Sequence, residues 1–228
     1  MTVEPRAPLA LPPSVPLVPP SDFADRLAAI GATVSTQTLT RLGDYLAHLL
    51  AMNEQVNLTA IREPADAWER HLFDALTLLP CIAAVPAGGR VVDIGSGGGI
   101  PGLPLAIARP DLEITLVESI QKKASFLSAV SEAMGLANVT VRADRAEQLK
   151  DLRGTFDVVT ARAVARLAAL APLVLPFVRP GGVALLIKGQ RAEEELTEAT
   201  KVLAKLKTTH EKTIPTPTGR IVVLRRQP

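Results

Sequence analysis

Val91-Val92-Asp93-Ile94-Gly95-Ser96-Gly97-Gly98-Gly99-Ile100-Pro101-Gly102 is the stretch on which the fold turns. It reads as a short apolar strand, a glycine turn and a helix beginning near Pro101. Proline is favoured in the first helical turn, where its missing N–H would lack a partner in any case. Glycines accept positive φ and let a ligand approach the backbone with no Cβ in the way. The new helix offers unpaired N–H groups and the positive end of its dipole. The stretch is built to bind something, and the rest of the chain decides what.

Outward from it, strands and helices alternate. Strands are expected at 90–94, 113–118, 139–143, 156–161, 182–188 and 220–225, with helices near 101–109, 120–135, 145–150, 165–176 and 190–206. Such alternation predicts an α/β fold with a mostly parallel sheet and helices on both faces. Ligands of these sheets sit beyond the carboxyl ends of the strands. That rule selects Asp93 with Gly95, then Glu118, Asp144, Arg162 and Lys188, all at expected strand ends.

Residues 21–89 read as an N-terminal helical cap and linker. Ser21 can cap a helix that stops at Gly31, and Ser35 or Thr36 a second carrying Leu39, Leu42, Leu46, Leu49 and Leu50 at helical spacing. Pro64 opens a third, expected to run through Leu79 with Trp68, Leu72, Leu76 and Leu79 on one face. Residues 1–20 hold seven prolines and read as a flexible, extended tail. Residues 90–228 form the remaining domain.

Composition narrows the class. Hydrophobic residues at 47% suffice for a large core, and charged residues at 21% exclude a disordered polyelectrolyte. Residues 1–89 hold 5 Lys/Arg against 9 Asp/Glu, whereas residues 90–228 hold 20 against 14. The half with the glycine turn is therefore the basic half, as an anionic partner such as RNA would favour. Lys122, Lys123, Arg166, Arg191, Arg225 and Arg226 are candidate phosphate contacts. Cys81 stands alone, so no disulfide or cysteine metal site is expected. His48, His71 and His210 lack metal-ligand spacing. No signal peptide and no membrane span is expected, which points to the cytoplasm. Aromatics make up only 3%, leaving Phe23, Tyr45 and Phe73 as the few platforms on which a splayed base can stack.

Two ligands compete for the glycine turn. Gly97-x-Gly99-x-x-Gly102 with Glu118 downstream fits a dinucleotide fingerprint. Asp93-x-Gly95-x-Gly97-x-Gly99 instead resembles the first motif of S-adenosylmethionine-dependent methyltransferases. Charge favours the second. Asp93 would repel a pyrophosphate but attract the α-ammonium and sulfonium of S-adenosylmethionine, directly or through water. The expected fold is then a Rossmann-like class I methyltransferase domain under the cap. Glu118 becomes an acceptor for the ribose hydroxyls, and Asp144 lies where adenine would be contacted.

A closer resemblance follows from several segments in order. They are Asn57–Arg62, His71–Leu76, Val91–Ile107, Glu118-Ser119 with Lys122-Lys123 and Phe126-Leu127, Arg145–Glu147, Phe156–Ala163 and Lys188-Gly189. Together they resemble the small-subunit (16S) ribosomal RNA guanine-N7 methyltransferases, also called the glucose-inhibited division protein B family. Ile100, where the family often has Phe or Leu, and Ala75, where Ser is usual, are mild departures. The resemblance implies transfer of a methyl group from S-adenosylmethionine to N7 of a guanine in 16S ribosomal RNA. It implies cofactor contacts from Gly95, Ile100, Ala146, Glu147 and Arg162, with Gly97 in the same turn. Guanine N7 has a lone pair and no proton, so no general base is needed, and Arg162 and Lys188 are the candidate donors to guanine O6. His71 and Asp74, three residues apart on one helical face, are expected to orient or pack. The substrate is 16S ribosomal RNA or an assembling small subunit, the protein a monomer, and neither metal nor membrane takes part. The alternatives are a methyltransferase for a protein or small molecule, a dinucleotide oxidoreductase, and a ribosome-assembly protein that binds S-adenosylmethionine without turnover.

Overall fold

The structure, a computed structural model, describes residues 9–162 and 164–228; Pro5 and Pro8 of the tail, and Ala163, lie outside the described residues. Its centre is a seven-stranded sheet in the order β3-β2-β1-β4-β5-β7-β6. Five strands are parallel: β1 (Arg90–Ile94), β2 (Glu113–Val117), β3 (Val139–Arg142), β4 (Phe156–Arg162) and β5 (Val178–Lys188). The hairpin β6 (Thr208–Thr216) and β7 (Gly219–Arg226) joins antiparallel through β7. Strand order reverses at β1 and β4, and a crevice is expected there.

Strand alternation sorts the side chains onto two faces. Val91, Val158 and Leu185 point to one core, while Val92, Val159 and Leu186 point to the other. The first core takes α5 (Gly102–Ala108), α6 (Gln121–Ala133) and the cap; the second takes α7 (Leu167–Val174) and α8 (Ala192–Lys205). The same alternation sets Thr160 and Arg162 on the cap side with Val158.

The cap has no core of its own. Phe23 and Leu27 of α1 (Phe23–Ala29) and Leu42, Tyr45, Leu46 and Leu49 of α2 (Thr36–Val56) pack in one cluster with Leu103 and Phe126. Most of the scarce aromatics are spent here. Phe23 meets Trp68 edge-on at 4.9 Å and Phe73 at 5.8 Å, each pair contributing about 0.5–1.5 kcal/mol beyond its burial. Ser35 caps α2, its hydroxyl accepting from Thr38 N–H at 3.1 Å.

Four expectations change. The helix expected over 64–79 is composite: α3 (Pro64–Ala67), a π-helical segment (Trp68–Phe73), α4 (Asp74–Leu76), then a 3₁₀ turn (Leu79–Ile82). The helix expected at 145–150 is instead two 3₁₀ turns, Ala146–Gln148 and Lys150–Leu152. Strand β6 was not foreseen, because Thr209, His210, Glu211 and Lys212 are exposed on a polar edge and show no apolar alternation. Finally, residues 9–20 form no helix or strand, and they lie against the cap. Leu17 N–H donates to Gly43 O at 3.3 Å, Ser14 Oγ is 3.1 Å from His48 Nδ1, and Leu9, Leu11 and Leu17 pack on the core.

Candidate functional site

The glycine turn is tied to its neighbours from below. Gly95 and Ser96 N–H groups both donate to Val117 O, at 2.9 and 3.1 Å. Gly95 and Gly97 take positive φ, +73° and +59°. They are also the two residues of the turn open to solvent, and the space beside Gly97 holds only Gly95 O, at 3.9 Å from where a Cβ would stand. From above, buried Tyr45 donates its hydroxyl to Gly98 O at 2.8 Å. Burial pushes that phenol above the ordinary tyrosine range.

Asp93 differs from its expected role. Its carboxylate is buried beneath the turn rather than facing a ligand. Oδ1 accepts from Thr160 Oγ1 at 2.9 Å and Oδ2 from Gly102 N–H at 3.2 Å, so it pins the start of α5 to β4. Burial drives its acidity to about 6, against the opposing pull of those hydrogen bonds and of Arg162. A Cβ on Gly102 would fall 2.2 Å from Leu116 Cδ2, which is why glycine stands there. Ile100, at 6% exposure, packs in the core cluster shared by cap and sheet.

Glu118, at the end of β2, is almost wholly buried and braces the turn. Oε2 accepts from Gly97 N–H at 2.8 Å and Oε1 from Ile120 N–H at 2.7 Å. A carboxylate has about four lone-pair sites, so roughly two remain. Asp144 is half-exposed and 3.4 Å from Arg142 Nε; Ala146 and Glu147 occupy the first 3₁₀ turn, Glu147 exposed. Following the sheet order, Asp144, Glu118, the glycine turn and Arg162 stand side by side at adjacent strand ends.

Arg162 leans onto the cap. Nη1 donates to Arg70 O at 2.5 Å and to Asp74 Oδ2 at 3.2 Å, and Nη2 lies 3.0 Å from His71 Nδ1. Burial first, and then the Arg162 charge, push His71 down to about 4. Lys188 departs from the expectation of a substrate donor. Its side chain is 8% exposed, and Nζ sits 2.7 Å from Glu195 Oε2 and 2.7 Å from Ala165 O, turned toward α8. Glu195 also accepts from Leu167 N–H at 2.8 Å, so the lysine ties β5 to α7 and α8.

Other candidates divide similarly. Arg166, Arg191 and Arg225 are paired with Glu198, Glu194 and Glu211. Lys122 and Lys123, at the start of α6 beside Glu118, have no ion pair among the described residues. Phe23, Tyr45 and Phe73 are buried, so none offers a stacking face. Sequence reasoning missed Ile120, two residues past Glu118, and Val164 beside Gly95, large apolar side chains 51% and 39% exposed. Val164 Cγ2 would lie 2.9 Å from a Cβ on Gly95. It also missed Thr160, whose one signal was a hydroxyl in an apolar strand, and Thr218, which had none. Among the described residues there is no group of three His, Cys, Asp or Glu able to hold a metal, and no helix long and apolar enough to cross a membrane.

Several solved structures that share this fold are methyltransferases. The antibiotic-resistance methyltransferase Kmr aligns over 65% of this chain and 91% of its own with TM-score 0.52 at 18% identity. A 16S rRNA adenine-N(1)-methyltransferase from Catenulisporales acidiphilia covers 64% and 88% with TM-score 0.51 at 18% identity. The fold is that of the Rossmann-like S-adenosylmethionine-dependent methyltransferases. Residues 38–220 match the family described as rRNA small subunit methyltransferase G, and a relative so named from Sorangium cellulosum is 61% identical over 99% of this chain and 95% of its own. Another, from Leuconostoc mesenteroides, is 41% identical over 81% and 79%. The chain belongs to the rRNA small subunit methyltransferase G family.

Proposed function

We propose that this protein transfers a methyl group from S-adenosylmethionine to N7 of a guanine in 16S ribosomal RNA of the small subunit. The observation that carries the reading is the family match over residues 38–220, a span that includes the glycine turn, Glu118 and Arg162. The residues present fit the methyl donor. Gly95 and Gly97 leave open backbone for its methionine end, and Glu118 retains acceptor capacity for ribose hydroxyls. Ile120 and Val164 supply apolar walls, and Asp144, Ala146 and Glu147 stand where adenine would lie.

When bound, S-adenosylmethionine supplies an electrophilic methyl group on a sulfonium centre. Guanine N7 brings a lone pair and no proton, so the chain must align rather than deprotonate. Arg162 stays protonated and suits donation to guanine O6. A fork engaging both O6 and N7 would block the reacting lone pair, so O6 alone is the contact. Lys122 and Lys123 meet RNA phosphates near the same strand ends. The protein works in the cytoplasm as a monomer on the RNA or an assembling subunit, and alignment of a lone pair needs no metal.

The test is to incubate the protein with methyl-labelled S-adenosylmethionine and, separately, bare 16S RNA, small subunits and assembly intermediates, then map the label. N7-methylguanine at one position is expected. Label on protein or on another base, or none anywhere, overturns the reading.

A further inference from the structure

The π-helical segment Trp68–Phe73 acts on Arg162. Asp74 N–H bonds Glu69 O and His71 O, not the Arg70 carbonyl that would be its partner in an α-helix. The Arg70 carbonyl, not taken by Asp74 N–H, accepts from Arg162 Nη1. Asp74 Oδ2 and His71 Nδ1 grip the same guanidinium. A guanidinium only donates, so His71 Nδ1 is the unprotonated nitrogen. The ring proton is then on Nε2, which donates to Thr59 Oγ1 at 2.8 Å. Asp74 Oδ1 accepts in turn from Thr218 Oγ1, in the turn between β6 and β7. Three of the five guanidinium N–H groups are committed to the cap. The Nε–H and one N–H on Nη2 have no partner among the described residues.

We propose that His71 and Asp74 are positioning residues: they clamp Arg162 so that its two uncommitted N–H groups face the acceptor base. The identity of that base rests on the proposed function; the clamp does not. The charged groups facing His71 are Arg162 from β4 and Arg70 and Asp74 from its own stretch of helix, while Thr59 is neutral. Protonating His71 would remove the acceptor and set a cation against Arg162, so the clamp requires the neutral ring that burial and the Arg162 charge maintain against the opposing pull of the Arg70 carbonyl.

The experiment has two arms. Methylation of small subunits is measured for the full chain and for H71F, H71N, R162K and H71F/R162K. H71F should lower kcat about tenfold or more, with KM for S-adenosylmethionine within about twofold. H71N, whose amide oxygen replaces Nδ1 as acceptor, should recover most of the rate. In the R162K background H71F should add less than about threefold, because its effect passes through Arg162. An equal loss in both backgrounds, or full activity of H71F, overturns the proposal. D74N, which keeps the shape but not the charge, is the second variant should H71F not fold, and is expected to show the same split between kcat and KM.

The other arm reads the His71 ring nitrogens by NMR from pH 8 to 5. The Nε2–H neutral tautomer should persist, and R162A should raise the pH at which His71 titrates. A protonated Nδ1 at pH 7 overturns the clamp whatever the activity. If the tautomer holds but no RNA is methylated by any of the proteins, the proposed function fails, and the positioning role with it, while the clamp geometry stands.

Discussion

Asp93→Asn tests the buried charge beneath the glycine turn. Asp93 is held near 6 by burial, against 3.8 for a free aspartate. Between those values the native state keeps a proton that the unfolded chain has lost, so stability falls as pH rises through the window. The slope is about 1.4 kcal/mol per pH unit, and about 2 units give about 3 kcal/mol. His71 runs the other way. It is held near 4 against 6.5, so the unfolded chain binds the proton first and stability falls as pH drops. Over pH 4–6 the two contributions oppose and nearly cancel.

The substitution removes one side of that balance. Asn Oδ1 can accept from Gly102 N–H while its amide donates to Thr160 Oγ1, so the brace keeps its connections. Stability of D93N should then rise by about 3 kcal/mol from pH 4 to 6 relative to the unsubstituted protein. Urea unfolding of both proteins at half-unit pH steps measures this. Differencing the curves cancels Asp111, Asp157, Glu195 and Glu211, whose pKa values are lowered in both proteins. A difference that does not change with pH would refute the assignment of a buried, proton-holding Asp93.

Lys188→Met should cost about 3 kcal/mol by stranding Glu195, while kcat of the folded protein at low temperature stays within about twofold; a lost kcat at unchanged stability would return Lys188 to the substrate. Gly97→Ala should cost roughly 1–2 kcal/mol for the left-handed backbone and, because its Cβ enters open space beside the turn, weaken S-adenosylmethionine binding about tenfold or more in calorimetry. Lys122→Glu with Lys123→Glu should weaken RNA binding across sequences and flatten the plot of log affinity against log salt by about 2, leaving the rate at saturating RNA unchanged.

What the sequence made legible was what repeats or punctuates. Alternation located the five parallel strands, and Gly95 to Gly102 located the turn, because both are short-range signals. The polar edge strand Thr208–Thr216 carried no period, since one side of it faces water. The π-helical segment was invisible because Trp68, Leu72 and Leu76 keep helical spacing whichever carbonyl each N–H reaches. For the site, position along the strands was readable and side-chain direction was not. Arg162 and Lys188 both end parallel strands, yet their partners lie far off in sequence: Asp74 and His71 draw one onto the cap, and Glu195 draws the other under α8. Tyr45 reads as one more apolar position of α2 until Gly98 O is found at its hydroxyl.

Asp93, whose charge reads from the sequence as favouring a cationic donor over a pyrophosphate, could exert that preference only from beneath the turn. The carboxylate touches no open surface, so any pull on a ligand would pass through its field rather than by contact. Burial raises its pKa toward about 6, and it lies beneath the turn with Oδ2 on Gly102 N–H. Thr160 and Gly102 N–H solvate that charge without neutralising it. In an interior of low effective dielectric it is felt across several ångströms, disfavouring a second anion at the turn and favouring a sulfonium or ammonium. The same residue fixes the start of α5, so geometry and charge at the turn are set by one carboxylate. A substitution that keeps its shape and removes its charge separates the two: in D93N the turn should stay in place, while the preference for a cationic ligand weakens.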